Sequence, residues 1–449
     1  GIPMPSPTLP QPALTGFPTV DALEAAFLAL SENAPHLVRR RILGWSRLGE
    51  PIPVYAIGDG RAHAVIAGGV HPNEPIGFHT ALTLAERLVA DEGLRRELGM
   101  TFHIVPCIDP DGTRMNEGWF ASPGDRGSYG RAFYRPAPDE QVEWSFPLSY
   151  KRLHFDRVLP ETRALADLFD EVEPALFVGL HNAEVGGVYF YVNRDDDALV
   201  RELSAIPARH GLPLDIGEPE SPDLVRLGDA VFRCPTVAER YDYLEGLGLD
   251  PLAEVSGGGS ADYLQRHGTL VMVAELPYWT HDDVVDEGSG GISYRRIVQD
   301  RAEALRALGE TLGGALSRVD AHLTIPSPML RGARAFAPLM TALADAEDER
   351  ARRLAVDRIA TRAEVFSNED AVRSFRLRFG GMLLRALEIE CAAGVAHDTV
   401  RRERDSFRLV YEQWVAEAER VPLRALPLAD LVGVQLDAVL AAARAAVIA

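Results

Sequence analysis

The chain reads as an α/β protein: a mostly parallel mixed sheet flanked by helices, followed by an all-α C-terminal bundle. Three observations predict this. Six short, nearly continuous apolar runs recur between Ile52 and Pro277, amphipathic stretches separate them, and strand-like runs stop after residue 322. Strands that are apolar throughout, alternating with helices, indicate a sheet covered on both faces.

Residues 1–20 are Pro-rich and polar, and read as an extended N-terminal arm. Residues 21–322 make the α/β domain, which opens with the helix-period stretch "TVDALEAAFLALSENAPHLV". Its strands are "IPVYAIG", "HAVIAGGV", "TFHIVPCI", "ALFVGLHN", "GVYFYV" and "TLVMVAELP", and "FHTALTLAERLVADEGLRRELG" and "ETRALADLFDEV" are among the helices between them. Pro326 and Pro328 then break any helix. Over residues 323–449 apolar side chains return at helical spacing: Val372, Phe375, Phe379, Met382 and Ala386, then Phe407, Val410, Trp414 and Ala418. Stripes of this kind serve as core or subunit contact more often than as a cofactor box. Homo-oligomerisation through the bundle is therefore one expectation beside a role as internal core. No internal repeat is visible.

At 449 residues, two domains are the default expectation. The composition, 47% apolar and 25% charged, is that of a folded chain. A formal charge of −20 repels phosphate backbones and anionic membrane surfaces, so neither nucleic acid nor membrane is an expected partner. No apolar run reaches membrane-spanning length, since Asp437 and Arg444 interrupt the Ala-rich C-terminal stretch. Cys107, Cys234 and Cys391 lie far apart without CxxC spacing, which gives neither a disulfide framework nor a thiolate metal site. No secretory apolar region opens the chain, and the expected setting is reduced and cytoplasmic.

The chemistry lies in "AVIAGGVHPNEPIG". His71 and Glu74 stand where an apolar strand gives way to a helix, and His181 closes the strand "ALFVGLHN" about a hundred residues on. Two ligands from one short segment and a third from a distant strand make the His/Glu/His set of a catalytic zinc site, which keeps one position open. A bare HxxE is weak, and His181 with Glu184 is a second instance. Context separates them, because ligands gather at the carboxyl ends of strands in open α/β sheets. The strand "TLVMVAELP" delivers Glu275 to the same edge, and a carboxylate after five apolar residues is costly to bury without a purpose. One Zn²⁺ per chain is the expected cofactor.

Several motifs in order then resemble the zinc carboxypeptidases of the A/B type. "APHLVRRRILGWSRLGEPIPVYAIG" resembles the family's entry segment, "GGVHPNEPIG" its first zinc motif and "DPDGTR" the turn that follows. "LPETRALADLF" is similar to the helix before the third ligand, "FVGLHN" to the strand bearing it, and "GGSADY" with "VAELP" to the pocket loop and catalytic-Glu strand. The resemblance implies zinc on His71, Glu74 and His181, with Glu275 as general base and acid. It also implies that Arg114 polarises the scissile carbonyl and that Ala261 lies at the floor of the selecting pocket. A small neutral floor disfavours basic side chains.

Two positions depart from the family pattern. Glu143 and Trp144 occupy the places of the Asn-Arg pair that holds a substrate carboxylate, and an acidic group there is repulsive. Glu254 falls near the expected pocket Tyr, for which Tyr241, Tyr243, Tyr263 or Tyr278 is a candidate substitute. In the long segment between Asn116 and Trp144, Arg131 and Arg135 are candidates for an anion clamp, because a guanidinium grips a carboxylate with two prongs. The expected activity is amide hydrolysis at or near the end of a peptide or peptide-like substrate. The alternatives are a deacylase or amidase of small amides on the same scaffold, and an inactive metal-binding protein whose helical tail serves an interaction.

Overall fold

The computed structural model describes residues 14–448, so most of the predicted arm lies outside the described residues. Ten strands form one sheet: β1 (Val38–Trp45), β2 (Pro51–Ile57), β3 (Ala62–Ala67), β4 (Met100–Val105), β5 (Leu176–Gly179), β6 (His181–Asn182), β7 (Tyr189–Val192), β8 (Arg226–Gly228), β9 (Val231–Arg233) and β10 (Leu270–Leu276). Their order is β1-β2-β4-β3-β5-β10-β7-β9-β8, with short β6 also paired to β10. The central strands β4, β3, β5 and β10 run parallel, and the antiparallel pairings lie towards the flanks. All six apolar runs are strands of this sheet. Strands β1, β8 and β9 lie outside those runs. In β1 the exposed Arg39, Arg40 and Arg41 follow one another at the sheet edge and hide the strand from a hydrophobic pattern. The other two are three residues each, too short to show a period.

The helices that shape or support the site are α1 (Val20–Asn33), α2 (Ile76–Ala90), α3 (Arg126–Ala132), α4 (Pro160–Val172), α5 (Asp197–Arg209), α6 (Tyr294–Val319), α7 (Pro328–Arg353), α8 (Arg362–Ala392), α9 (Asp398–Glu419) and α10 (Leu428–Ile448). Val372, Phe379, Met382 and Ala386 of α8 and Phe407 of α9 are buried, and they share one hydrophobic cluster with Val178 and Leu180 beside the sheet. The helical stripes are thus used within the chain. Two short strands, absent from the sequence expectation, stitch this region to the rest. Ile359–Thr361 pairs with Ser289–Ser293, and Arg424–Ala425 pairs with Trp279–Thr280. Pieces of two or three residues carry no readable alternation.

The expectation of no membrane-length apolar run needs correction. By length and composition α10 is long and apolar enough to cross a bilayer. However, 67% of its most apolar stretch is buried inside the fold, where it packs on α2, α5 and β10. The two charges that interrupt it are used at its margins. The Asp437 carboxylate lies 2.7 Å from the His210 ring, and Arg444 donates to Glu97 at 2.7 Å.

Candidate metal centre and its cavity

His71 owes its place to the way β3 ends. At Gly68 a Cβ would sit 2.4 Å from the Pro106 carbonyl oxygen, and Gly69 has φ +70°, a left-handed conformation that costs glycine little. After His71 a tight turn closes with the Glu74 amide on the His71 carbonyl at 3.0 Å, and α2 begins two residues later. Asn182 accepts the first free amide of that helix, Ile76, at 3.0 Å. The helix lies so close to the third-ligand strand that a Cβ on Gly77 would stand 2.4 Å from that of Leu180. One short segment and the next strand are thereby locked together around the cluster.

His71, Glu74 and His181 are 5%, 4% and 6% exposed, and a nitrogen or oxygen from each lies within 4.8 Å of the others. Among the described residues this is the one such cluster of His, Cys, Asp or Glu. His181 Nδ1 is 3.1 Å from Glu74 Oε1, and the Asn182 amide donates to the same oxygen at 2.9 Å. Two imidazole nitrogens and a carboxylate converging at this spacing fit a zinc ion, whose bonds to such atoms are about 2.0–2.2 Å. Burial, reinforced by the charges of Arg135, His181 and Arg378, pushes the His71 pKa well below the usual imidazole value, which favours the neutral ring that metal binding needs. For His181, burial opposes protonation but the adjoining Glu74 carboxylate outweighs it, and the pKa is raised.

The third contribution comes from β10. In the parallel pairing of β6 with β10, Glu275 stands directly across from His181, and on its other side it faces Tyr189 of β7. Its carboxyl is buried and pushed well above the usual carboxylate range, first by burial and then by the charges of Glu74 and Glu220. Behind the ligands, Gln435 of α10 is fully buried. Its amide donates to the His181 carbonyl at 3.1 Å and accepts from Thr80 of α2 at 2.6 Å.

These groups open into a cavity of about 380 Å³. Four further residues singled out from the sequence also line it: Ala261, Glu143, Trp144 and Arg135. The Glu143 carboxylate accepts from the Ser260 amide and hydroxyl at 3.0 and 2.8 Å, and burial raises its pKa. Arg135 places Nη2 3.0 Å from His71 Nδ1 and Nη1 3.6 Å from Glu74. The structure does not bring Arg114, Arg131 or Glu254 to the cavity. Arg114 is held by Glu50 and Asp21, Arg131 by Glu412 of α9, and Glu254 by Arg240. Of the aromatic substitutes, none of Tyr241, Tyr243, Tyr263 and Tyr278 lines it. Tyr189 and Tyr191 do, and both donate to Glu220. Glu184, of the second HxxE, stands apart from the metal cluster; it accepts from Tyr129 of α3 at 2.6 Å. Sequence reasoning also missed one wall, which α8 supplies through residues that include Ser367, Ser374 and Arg378.

A mixed α/β sheet with a buried His–Glu–His cluster at its strand ends, and a carboxylate beside it, is the layout of a metal-dependent hydrolase. The sequence profile of the zinc carboxypeptidase family matches residues 23–276, more than half of the chain, and the chain belongs to that family. It is a zinc metallocarboxypeptidase-like hydrolase. Among solved structures it is similar to carboxypeptidase A from Helicoverpa armigera, at 14% identity over 75% of this chain and 74% of that one, TM-score 0.41. It is also similar to bovine thrombin-activatable fibrinolysis inhibitor in complex with tick carboxypeptidase inhibitor, at 13% identity over 58% and 86%, TM-score 0.36. A metallo-carboxypeptidase from Burkholderia cenocepacia follows at 16% identity over 57% and 60%, TM-score 0.35. No curated protein sequence matches the chain.

Proposed function

We propose that the protein hydrolyses an amide bond at or near the end of a peptide or peptide-like molecule, with one zinc on His71, Glu74 and His181 and with Glu275 as general base. The observation that carries this reading is the register of β6 with β10, which sets Glu275 beside a zinc ligand in the same cavity. Bound zinc supplies Lewis acidity and lowers the pKa of water towards roughly 7. Glu275 takes a proton from the attacking water and delivers it to the departing nitrogen. Its raised pKa suits both halves of that task. Arg135, not Arg114, is the guanidinium placed to donate to the developing oxyanion, because it alone of the two reaches the ligands.

One observation favours a second reading, an amidase or deacylase of small amides. Glu143 stands on the cavity wall with Ser260 and Ala261, where it repels the free carboxylate of an ordinary peptide end.

The test is turnover of N-blocked dipeptides, C-terminally amidated peptides and N-acyl amino acids, before and after chelation and on return of zinc. In Glu275→Gln, zinc content should stay at one per chain while turnover falls roughly 10²- to 10⁴-fold. Zinc-loaded variant with full turnover removes Glu275 from the role.

A further inference from the structure

By the motif resemblance Glu143 and Trp144 stand where the family's anchor for a substrate anion would be, and Glu143 accepts from the amide and hydroxyl of Ser260. Three arginines line the cavity: Arg135, Arg301 and Arg378. Arg135 faces His71 and Glu74, and Arg301 of α6 donates to Asn368 at 3.3 Å. Arg378 of α8 is different. Its Nε lies 3.2 Å from Glu184 without a hydrogen bond to it, and neither terminal nitrogen donates a hydrogen bond among the described residues. The guanidinium is held against Phe133 and Phe379, 4.7 and 5.3 Å from their ring centroids. Only 12% of the side chain is exposed, and its charge is felt at His71 and at Arg135.

We propose that Arg378 is the anchor for a carboxylate of the substrate, and so a specificity-determining residue that the C-terminal helices contribute to the site. This inference rests on the hydrolase reading above and names the chemistry of its substrate. A guanidinium offers two parallel N–H donors that match a carboxylate, and one already stacked on aromatic rings loses little freedom on binding. Glu184 alone does not account for the arrangement, because it only approaches Nε, makes no hydrogen bond there, and leaves the terminal N–H donors for a ligand. The anion then sits at the α8 end of the cavity, while Glu143 disfavours a second anion where the family holds one.

The test is calorimetry on the full-length, zinc-loaded protein in a Glu275→Gln background, which binds without turning over. The probes are N-benzoylglycine and its neutral counterpart N-benzoylglycinamide. With Arg378 present the acid should bind at least roughly tenfold tighter than the amide, and Arg378→Gln should erase the difference while leaving amide binding unchanged. Arg378→Lys keeps the charge among the aromatic rings and serves if the Gln variant folds poorly; it should retain only part of the preference. Equal binding of the two probes with Arg378 in place overturns the proposal, as does a preference that survives either substitution undiminished. A structural role through Glu184 alone would move stability and leave this selectivity untouched. Because the readout is binding, failure of the anchor is distinguishable from failure of amide hydrolysis.

Discussion

Arg126→Met tests how firmly the C-terminal helices are tied to the site. Arg126 opens α3 and reaches Asp370 of α8 through both terminal nitrogens, each contact 2.9 Å, with the two side chains 8% and 6% exposed. Breaking a buried pair from one side costs about 3–5 kcal/mol, because the remaining charge is stranded. Here Asp370 keeps Arg373 at 3.0 Å and Ser374 at 3.5 Å, so the lower end, about 3 kcal/mol, is expected. Arg126→Met with Asp370→Leu removes both charges and should recover most of that loss, a coupling of roughly 2 kcal/mol. Urea unfolding of the four proteins of the cycle, zinc-loaded at neutral pH, measures it as shifts in midpoint at constant slope. The same helix carries Tyr129, which donates to Glu184, so the single variant should also lower turnover. A single variant within 1 kcal/mol of the parent, or a double variant no better than the single, refutes the reasoning.

Further outcomes are equally definite. Arg114→Ala should leave kcat unchanged and cost no more than about 1 kcal/mol, since its pairs with Glu50 and Asp21 are partly exposed; a drop in kcat beyond tenfold returns Arg114 to the mechanism. Asp109 is 1% exposed with Oδ2 unpartnered, and burial raises its pKa to about 7. The folded form therefore holds its proton longer than the unfolded chain, and stability falls as pH rises from about 4 to 7, by up to about 4 kcal/mol. Asp109→Asn should remove that fall, and urea midpoints that decline identically with pH in both proteins would contradict it. Gly77→Ala forces Leu180 away and should cost about 1–3 kcal/mol together with weakened zinc binding; unchanged melting and metal affinity count against the tight packing described.

Much of the centre was legible in the chain because it follows strand ends. His71 and Glu74 end one apolar run, His181 another, and Glu275 a third, and a parallel sheet brings such ends to one edge. The arginines were harder. Whether Arg114, Arg131 or Arg135 reaches the ligands depends on the path of the loop after Asn116. That path is set by the buried Asn116 side chain, which bonds to the Tyr134 amide and carbonyl and to Trp119. Such bonds have no period to read. Arg378 escaped for a related reason. It shares a helix face with Phe375, Phe379 and Met382, and a stripe of that kind announces core without saying that one member opens onto a cavity.

Gln435 gives the molecule a chronology. It trails His181 by 254 residues, so a nascent polypeptide leaving the ribosome has already released every metal ligand and Glu275 while the amide that steadies His181 is still unmade. A hydrolase whose keystone is translated after all of these groups stays unfinished when they are already made. A chain cut between Glu275 and Leu428 would keep His71, Glu74, His181 and Glu275 yet lack the amide that holds the His181 carbonyl.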